Sequence, residues 1–285
     1  MHYMEIGPRA SIAVPANRKA SPAAARATRY HAGSPVRTLM RKRRFSVLSF
    51  NIHKGFSPLN RRVIVHALRE RLHALSPDIV MLQEVQDAHA NHATRHADWP
   101  LLAQSRFLAD GLWPEVHYGR NAVYDHGHHG NLILSRFPVG IVRNDDISDH
   151  RFERRGLLHA EVDMKGVRAH CFCVHLGLFE RGRQRQIDTI IEAVQSRAGP
   201  HDPVIVAGDF NDWRNRAEDK LASVGLVDVF RERGVRLPRT FPGRLPMLRL
   251  DRIYARGLVA TDAQCLNSWS RLSDHLALHA TFGLP

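Results

Sequence analysis

An acid and an amide, two residues apart, close the run Val204-Ile-Val-Ala-Gly-Asp-Phe-Asn211. Four apolar residues lead into a glycine, so the run reads as a buried strand that turns sharply at its end. Asp209 and Asn211 then sit at the strand tip, where functional side chains collect in α/β sheets. Asp, Asn and Gly also make ordinary turns, and a single tip of this kind says little. The same pattern recurs along the chain. Asn51 closes Phe45–Ile52, Glu84 closes Asp78–Val85, and His175 ends Val167–Leu176. Asp251 lies midway in Leu248–Tyr254, and Asp274 with His275 precede the strand Leu276–Phe282. Together these types match what metal-assisted phosphoester hydrolysis needs. Glu84 with Asn51 offers hard oxygen ligands to a divalent cation while leaving room for water and phosphate. Asp209 can orient or deprotonate the attacking water. His275 can stabilise or protonate phosphoryl and leaving oxygens, with Asp251 fixing its tautomer. The chain has no P-loop, no G-x-G-x-x-G and no G-x-S-x-G.

The segments between these tips must bring them together. Leu59–Leu75 carries a helical stripe (Val63, Ile64, Ala67, Leu68, Leu72, Leu75). With the strands on either side it forms a strand–helix–strand unit, which places Asn51 and Glu84 at one end if the strands are parallel. Leu101–Leu112 is expected as a helix. Tyr118–Asn121 and His126–Asn131 read as a glycine- and histidine-rich loop able to line a site through Arg120, Asn121 and Asn131, or else as a hairpin approach to the strand Leu132–Arg136. Gly156–Met164 and Val167–Leu176 read as strands joined by a tight Lys165-Gly166 turn. A helix follows over Glu180–Ala198, with Ile187, Ile190, Ile191 and Val194 on one face. His89, His92 and His96 could line one helical turn, but no Cys or acid completes a zinc set.

With 285 residues and a 44% apolar share, the chain suits a single globular α/β domain. No apolar run approaches the ~18 residues needed to cross a bilayer. Cys171, Cys173 and Cys265 show no disulfide framework, which favours a reducing compartment; Cys171 and Cys173 share a strand face and read as core filler. The net charge is +13, but residues 1 to 44 hold ten Lys or Arg against Glu5 alone. They contribute +9 and leave +4 for the rest. Residues 1–43 are therefore expected as a disordered basic tail and 44–285 as the catalytic domain. The tail could meet nucleic acid or an anionic membrane surface.

The ordered motifs N-I-H-K-G, L-Q-E-V, G-N-L-I-L-S-R-F-P, V-H-L-G, G-D-F-N, R-L-D-R-I-Y and S-D-H resemble those of the endonuclease/exonuclease/phosphatase superfamily. The likeness spans residues 45 to 285. It implies a four-layer α/β/β/α sandwich with two central mixed sheets, like deoxyribonuclease I. It also implies Mg2+-dependent cleavage of a phosphoester, with Mn2+ as a substitute. On this resemblance Glu84 becomes the principal metal ligand, helped by Asn51 and further by Asp274. Asp209 becomes the base, Asn211 a phosphate contact, and His275 the catalytic histidine paired with Asp251. V-H-L-G is similar to the branch with a second catalytic histidine, here His175. His53 departs from the repair nucleases, which carry Asp or Asn at that point. The expected activity is a phosphodiesterase or phosphatase, on a lipid headgroup or lipid-linked phosphate. The alternatives are a nuclease on DNA or RNA and, from another class, a silent binding module on the same fold. The protein is expected to be monomeric and cytoplasmic, or peripheral to the membrane.

Overall fold

Alternation of apolar residues along the strands dictates a sandwich, because both faces of each central strand must be covered. The computed structural model describes residues 44–284; the expected basic tail, residues 1–43, lies outside the described residues. In chain order β1 (Arg44–Asn51), α1 (Val65–Leu75) and β2 (Ile79–His89) form the expected unit, with β1 and β2 parallel and Asn51 opposite Gln83. Next come α2 (Ala90–Arg95), α3 (Gln104–Ala109), β3 (Glu115–Tyr124) and β4 (Gly127–Ser135). The second half holds β5 (Val139–Asp146), β6 (Gly156–Asp163), β7 (Arg168–His175), α4 (Glu180–Arg197), β8 (Val204–Asp209), α5 (Ala217–Ala222), β9 (Val227–Asp228), α6 (Val229–Glu232), β10 (Asp251–Arg256), β11 (Val259–Cys265) and β12 (Leu278–Gly283).

Two mixed six-stranded sheets result, ordered β11-β12-β1-β2-β4-β3 and β5-β6-β7-β8-β10-β9. Val47, Met81 and Ile133 of the first meet Leu158, Cys171, Cys173, Ile205 and Ala207 of the second in a buried layer between them. The next residues along the same strands point outward. Leu48, Phe50 and Leu82 pack on Leu68 and Leu72 of α1, whereas Phe172, Val174 and Val206 pack on Ile187 and Ile190 of α4. Helix, sheet, sheet and helix therefore stack as the four expected layers. Cys171 and Cys173 are free and fully buried, as core filler should be. Among the described residues no helix is long and apolar enough to cross a membrane.

Several boundaries move. α1 starts only at Val65, because Leu59 and Asn60 take positive φ (66° and 54°) in a 3-10 turn begun by Pro58. The helix expected over Leu101–Leu112 shrinks to Gln104–Ala109, ending before Gly111 at φ 73°. Of the two readings of the glycine- and histidine-rich stretch, the site-lining loop gives way to the hairpin, here β3–β4. Its glycines serve close strand approach: a Cβ at Gly130 would lie 1.8 Å from the Gly119 carbonyl oxygen. Asp251 opens β10 and does not sit mid-strand. β5 and β11 were not expected; β5 is an edge strand exposed along most of its length, so it lacks an apolar alternation.

Candidate active site

The tips converge because of three pairings. His175 lies opposite Asp209 on parallel β7 and β8, and Asp251 lies opposite Asp209 on antiparallel β10. The β8 carboxylate is thus flanked from both sides. From the first sheet, β1 ends in Asn51, and β2 breaks its register with β4 between Leu82 and Val85. Glu84 falls in that break with φ 56°, a bulge that turns its side chain out of the ladder. The loop before β12 delivers Asp274 and His275.

Asn51 joins the two sheets. Its amide nitrogen donates to Glu84 Oε1 (3.3 Å) and to Asp209 Oδ2 (3.1 Å), while its Oδ1 accepts the His53 backbone N–H (3.1 Å). Asp209 Oδ1 accepts the Asn211 backbone N–H at 2.9 Å. Its Oδ2 also faces His175 Nε2 (3.5 Å) and His275 Nε2 (3.7 Å). His275 Nδ1 donates to Asp251 Oδ2 at 2.9 Å. Asn211, at φ 49°, ties its amide nitrogen to the Leu176 carbonyl (2.9 Å).

Burial and charge set the protonation states. Burial pushes Asp209 up, His275 pulls it down and Asp251 pushes it up again, leaving it raised to about 7. Burial alone would depress His275, but Asp251 and then Asp209 outweigh it and raise the imidazole to about 10. His175 touches the same carboxylate yet is held well below its ordinary value by burial, with Arg155 and His275 adding repulsion. One imidazole is a cation and the other is neutral. Glu84 is opposed by burial but lowered overall by Lys54, His275 and His53, so it stays an anion.

The oxygen donors fit a hard divalent cation. Glu84 is ionised with a single weak hydrogen-bond donor, Asn51 Oδ1 keeps a second lone pair, and Asp274 stands beside His53 Nδ1 at 3.3 Å. Asp209, Asp251 and His275 also gather donor atoms within 4.8 Å of one another. In that second cluster His275 Nδ1 is already tied to Asp251 Oδ2 at 2.9 Å.

A cavity of about 360 Å³ opens over Glu84, His175, Asp209, Asn211 and His275. Its wall includes Arg155, Trp213 and Phe241, none of which the sequence singled out as a site residue. Arg155 donates to the Leu176 carbonyl (3.1 Å) and to Glu153 (2.9 Å), fixing it beside His175. Its signal lay in the arginine-rich stretch 151–155. Three expected substrate contacts lie outside this wall. Asn131 is buried between the sheets, donating to the Gly156 and Cys173 carbonyls (2.9 and 3.1 Å). Arg120 is exposed on β3, and Asn121 accepts from Asn144 at 3.4 Å. The physical reason is the hairpin: strands, not a loop, carry these residues, and their pleat aims them elsewhere. The ring nitrogens of His89, His92 and His96 do not converge on a metal. His89 Nδ1 accepts the His92 backbone N–H at 3.1 Å, and the two rings stack at 3.7 Å.

This fold, with metal-capable carboxylates, a buried carboxylate and a carboxylate-backed histidine at the tips of two packed sheets, defines a class. The chain belongs to the Endonuclease/Exonuclease/phosphatase family, whose model matches residues 48–275. Members are generally phosphoester hydrolases and typically use divalent metals. The uncharacterized protein YbhP of Escherichia coli (strain K12) is 45% identical over 245 residues, 84% of this chain and 96% of that protein. The mannosyl-6-phosphatase of Bacteroides thetaiotaomicron has the same fold, with a TM-score of 0.65 at 17% identity over 84% of this chain and all (100%) of that one. So has D. rerio TDP2 complexed with single strand DNA product, with a TM-score of 0.60 at 22% identity, covering 85% and 99%.

Proposed function

We propose that this chain is a Mg2+-dependent phosphoester hydrolase, residues 44–285 forming its catalytic domain, with Asp209 as the base. The observation that carries this reading is the buried Asp209 carboxylate at a strand tip, 3.5 Å from His175 Nε2 and 3.7 Å from the Nε2 of His275, whose other ring nitrogen is held by Asp251 at 2.9 Å. Burial raises this carboxyl to about 7. A base near neutrality accepts a proton from water without being permanently protonated. Glu84 and Asn51, with Asp274 behind them, would hold the cation, which when bound supplies charge neutralisation at a phosphoryl oxygen. Asp209 Oδ2 takes the proton of the attacking water. His275 Nε2 presents a proton to the phosphoryl or leaving oxygen, and Asp251 holds the opposite ring nitrogen in its protonated form. His175 stays neutral and offers one N–H to the same group. Arg155 and the second amide proton of Asn211 bind non-bridging oxygens.

Three free thiols support a reducing, cytoplasmic setting. TDP2 with its DNA product keeps a nuclease on the same fold in view, but exposed Leu178 and Trp213 on the cavity wall favour a lipid-borne phosphate. Wild type and Asp209→Ala are compared on a generic phosphodiester, a phosphomonoester, plasmid DNA and mixed phospholipids, each with Mg2+ and with EDTA. Metal-dependent turnover should fall about 10²–10⁴-fold in the variant. Silence of the folded wild type across the panel would replace the hydrolase with a binding module.

A further inference from the structure

The loops around the cavity expose apolar side chains that a water-soluble substrate does not require. Leu178 and Trp213 stand on its wall. Phe179 follows Leu178 and packs on His150 (5.7 Å between ring centroids), which in turn meets Phe152 at 6.4 Å. Across the mouth, the turn held by Phe241 and Pro242 carries Met247, whose N–H donates to the Phe241 carbonyl (2.8 Å), and Leu245, whose N–H donates to the Pro242 carbonyl (3.0 Å). Phe152 is 82% exposed, Leu245 70% and Trp213 49%, and the other three of the six are also exposed. Apolar groups clustered at one opening mark an interaction surface, unlike isolated exposed ones.

Arginines interleave with these residues. Arg151 lies over the Phe152 ring at 4.7 Å and Arg214 over the Trp213 ring at 4.5 Å. Residues 233–250 contain Arg233, Arg236, Arg239, Arg244 and Arg249 and no acid. Burial and the neighbouring Arg236 and Arg239 push Arg249 below its ordinary value, as expected where positive charge is crowded.

We propose that this rim docks on an anionic phospholipid bilayer, and that the phosphoester entering the cavity is carried by a lipid. A bilayer offers the two complements together: acyl chains for the apolar tips and phosphates for the arginines. Single-stranded nucleic acid suits the rim less well. Leu178, Leu245 and Met247 have no π-face for a base, and one face each of Phe152 and Trp213 is already covered by an arginine. The substrate half rests on the hydrolase reading; the docking half does not.

Trp213 is the exposed tryptophan, since Trp99, Trp113 and Trp269 are buried. The full chain, in EDTA, is mixed with vesicles of phosphatidylglycerol and phosphatidylcholine bearing brominated acyl chains, and tryptophan emission is followed. Quenching is expected with wild type and should vanish in Trp213→Phe. The triple variant Phe152→Ser, Leu245→Ser, Met247→Ser should need about tenfold more lipid or worse while still hydrolysing a water-soluble phosphoester as wild type does. Co-sedimentation without quenching would assign membrane binding to the tail and overturn the proposal. Quenching by single-stranded DNA but not by vesicles would overturn it in favour of nucleic acid. A chain that hydrolyses soluble phosphoesters yet never docks also overturns it, whereas one that docks but hydrolyses nothing supports the docking and removes the hydrolase reading.

Discussion

Two pockets of about 360 and 370 Å³ are each built around histidines, and one imidazole in each, His275 and His92, is shifted in opposite directions. In the first, His275 faces the carboxylates of Asp251 and Asp209 and is a cation raised to about 10. In the second, His89, His92 and His96 meet one another, Phe56 and Tyr124. Burial, then repulsion from His89 and His96, pushes His92 down to about 4. Imidazoles are the same in both places. What differs is that the pairing of β8 with β10 sets acids opposite one imidazole and leaves the others among rings. Charge placed by sheet topology, more than the presence of histidine, sets the direction in which each of these two imidazoles is shifted.

Removing the imidazoles should break the comparison most widely. His275→Ala is expected to lower kcat by about 10²–10⁴, with His92→Ala within about twofold of wild type on a soluble phosphoester; equal losses would mean that the second pocket shares the chemistry. Glu84→Gln should act next most strongly, weakening Mg2+ affinity in an isothermal titration by no less than the loss of about 10–100-fold that removing an outer partner of a ligand causes, while circular dichroism stays unchanged. The smallest effect is on acid stability. The folded chain refuses a proton at His92 that the unfolded chain accepts below about 6.5. Stability linked to this group is therefore complete above that value and declines as pH falls toward about 4. His92→Phe should make the fall in urea midpoint between about pH 7 and about pH 5 shallower; an unchanged slope would show that His92 is solvated.

Most of the candidate site was legible because its residues interrupt apolar strands, where an unpaired polar group is costly and needs a reason. Asn51, Glu84, His175 and Asp209 each stand out in this way. The bulge that aims Glu84 was not legible, since it depends on a register break against β4. Arg155 was hidden as one of three arginines in residues 151–155, and its bonds to the Leu176 carbonyl and Glu153 decide which arginine turns inward. Asn131, Arg120 and Asn121 misled for the converse reason. Glycines at 119, 127 and 130 signal a loop, but they serve strands packed too closely for a Cβ. In the fold, buried strands such as β8 were plain, whereas the exposed edge β5 carried no periodic signal.

The Asn51 amide, reaching from one sheet to carboxylates of both, has a mechanical consequence. The distance between the metal-binding half and the base half of the proposed centre is the thickness of the sandwich at that end. A bulkier residue at Ala207, a cavity at Met81 or hydrostatic pressure would each alter that thickness far from the reactants. Proton transfer tolerates such shifts much less well than folding does. Drift in the inter-sheet layer should thus be constrained first by alignment at the mouth, with turnover acting as a gauge of core dimensions long before the protein loosens.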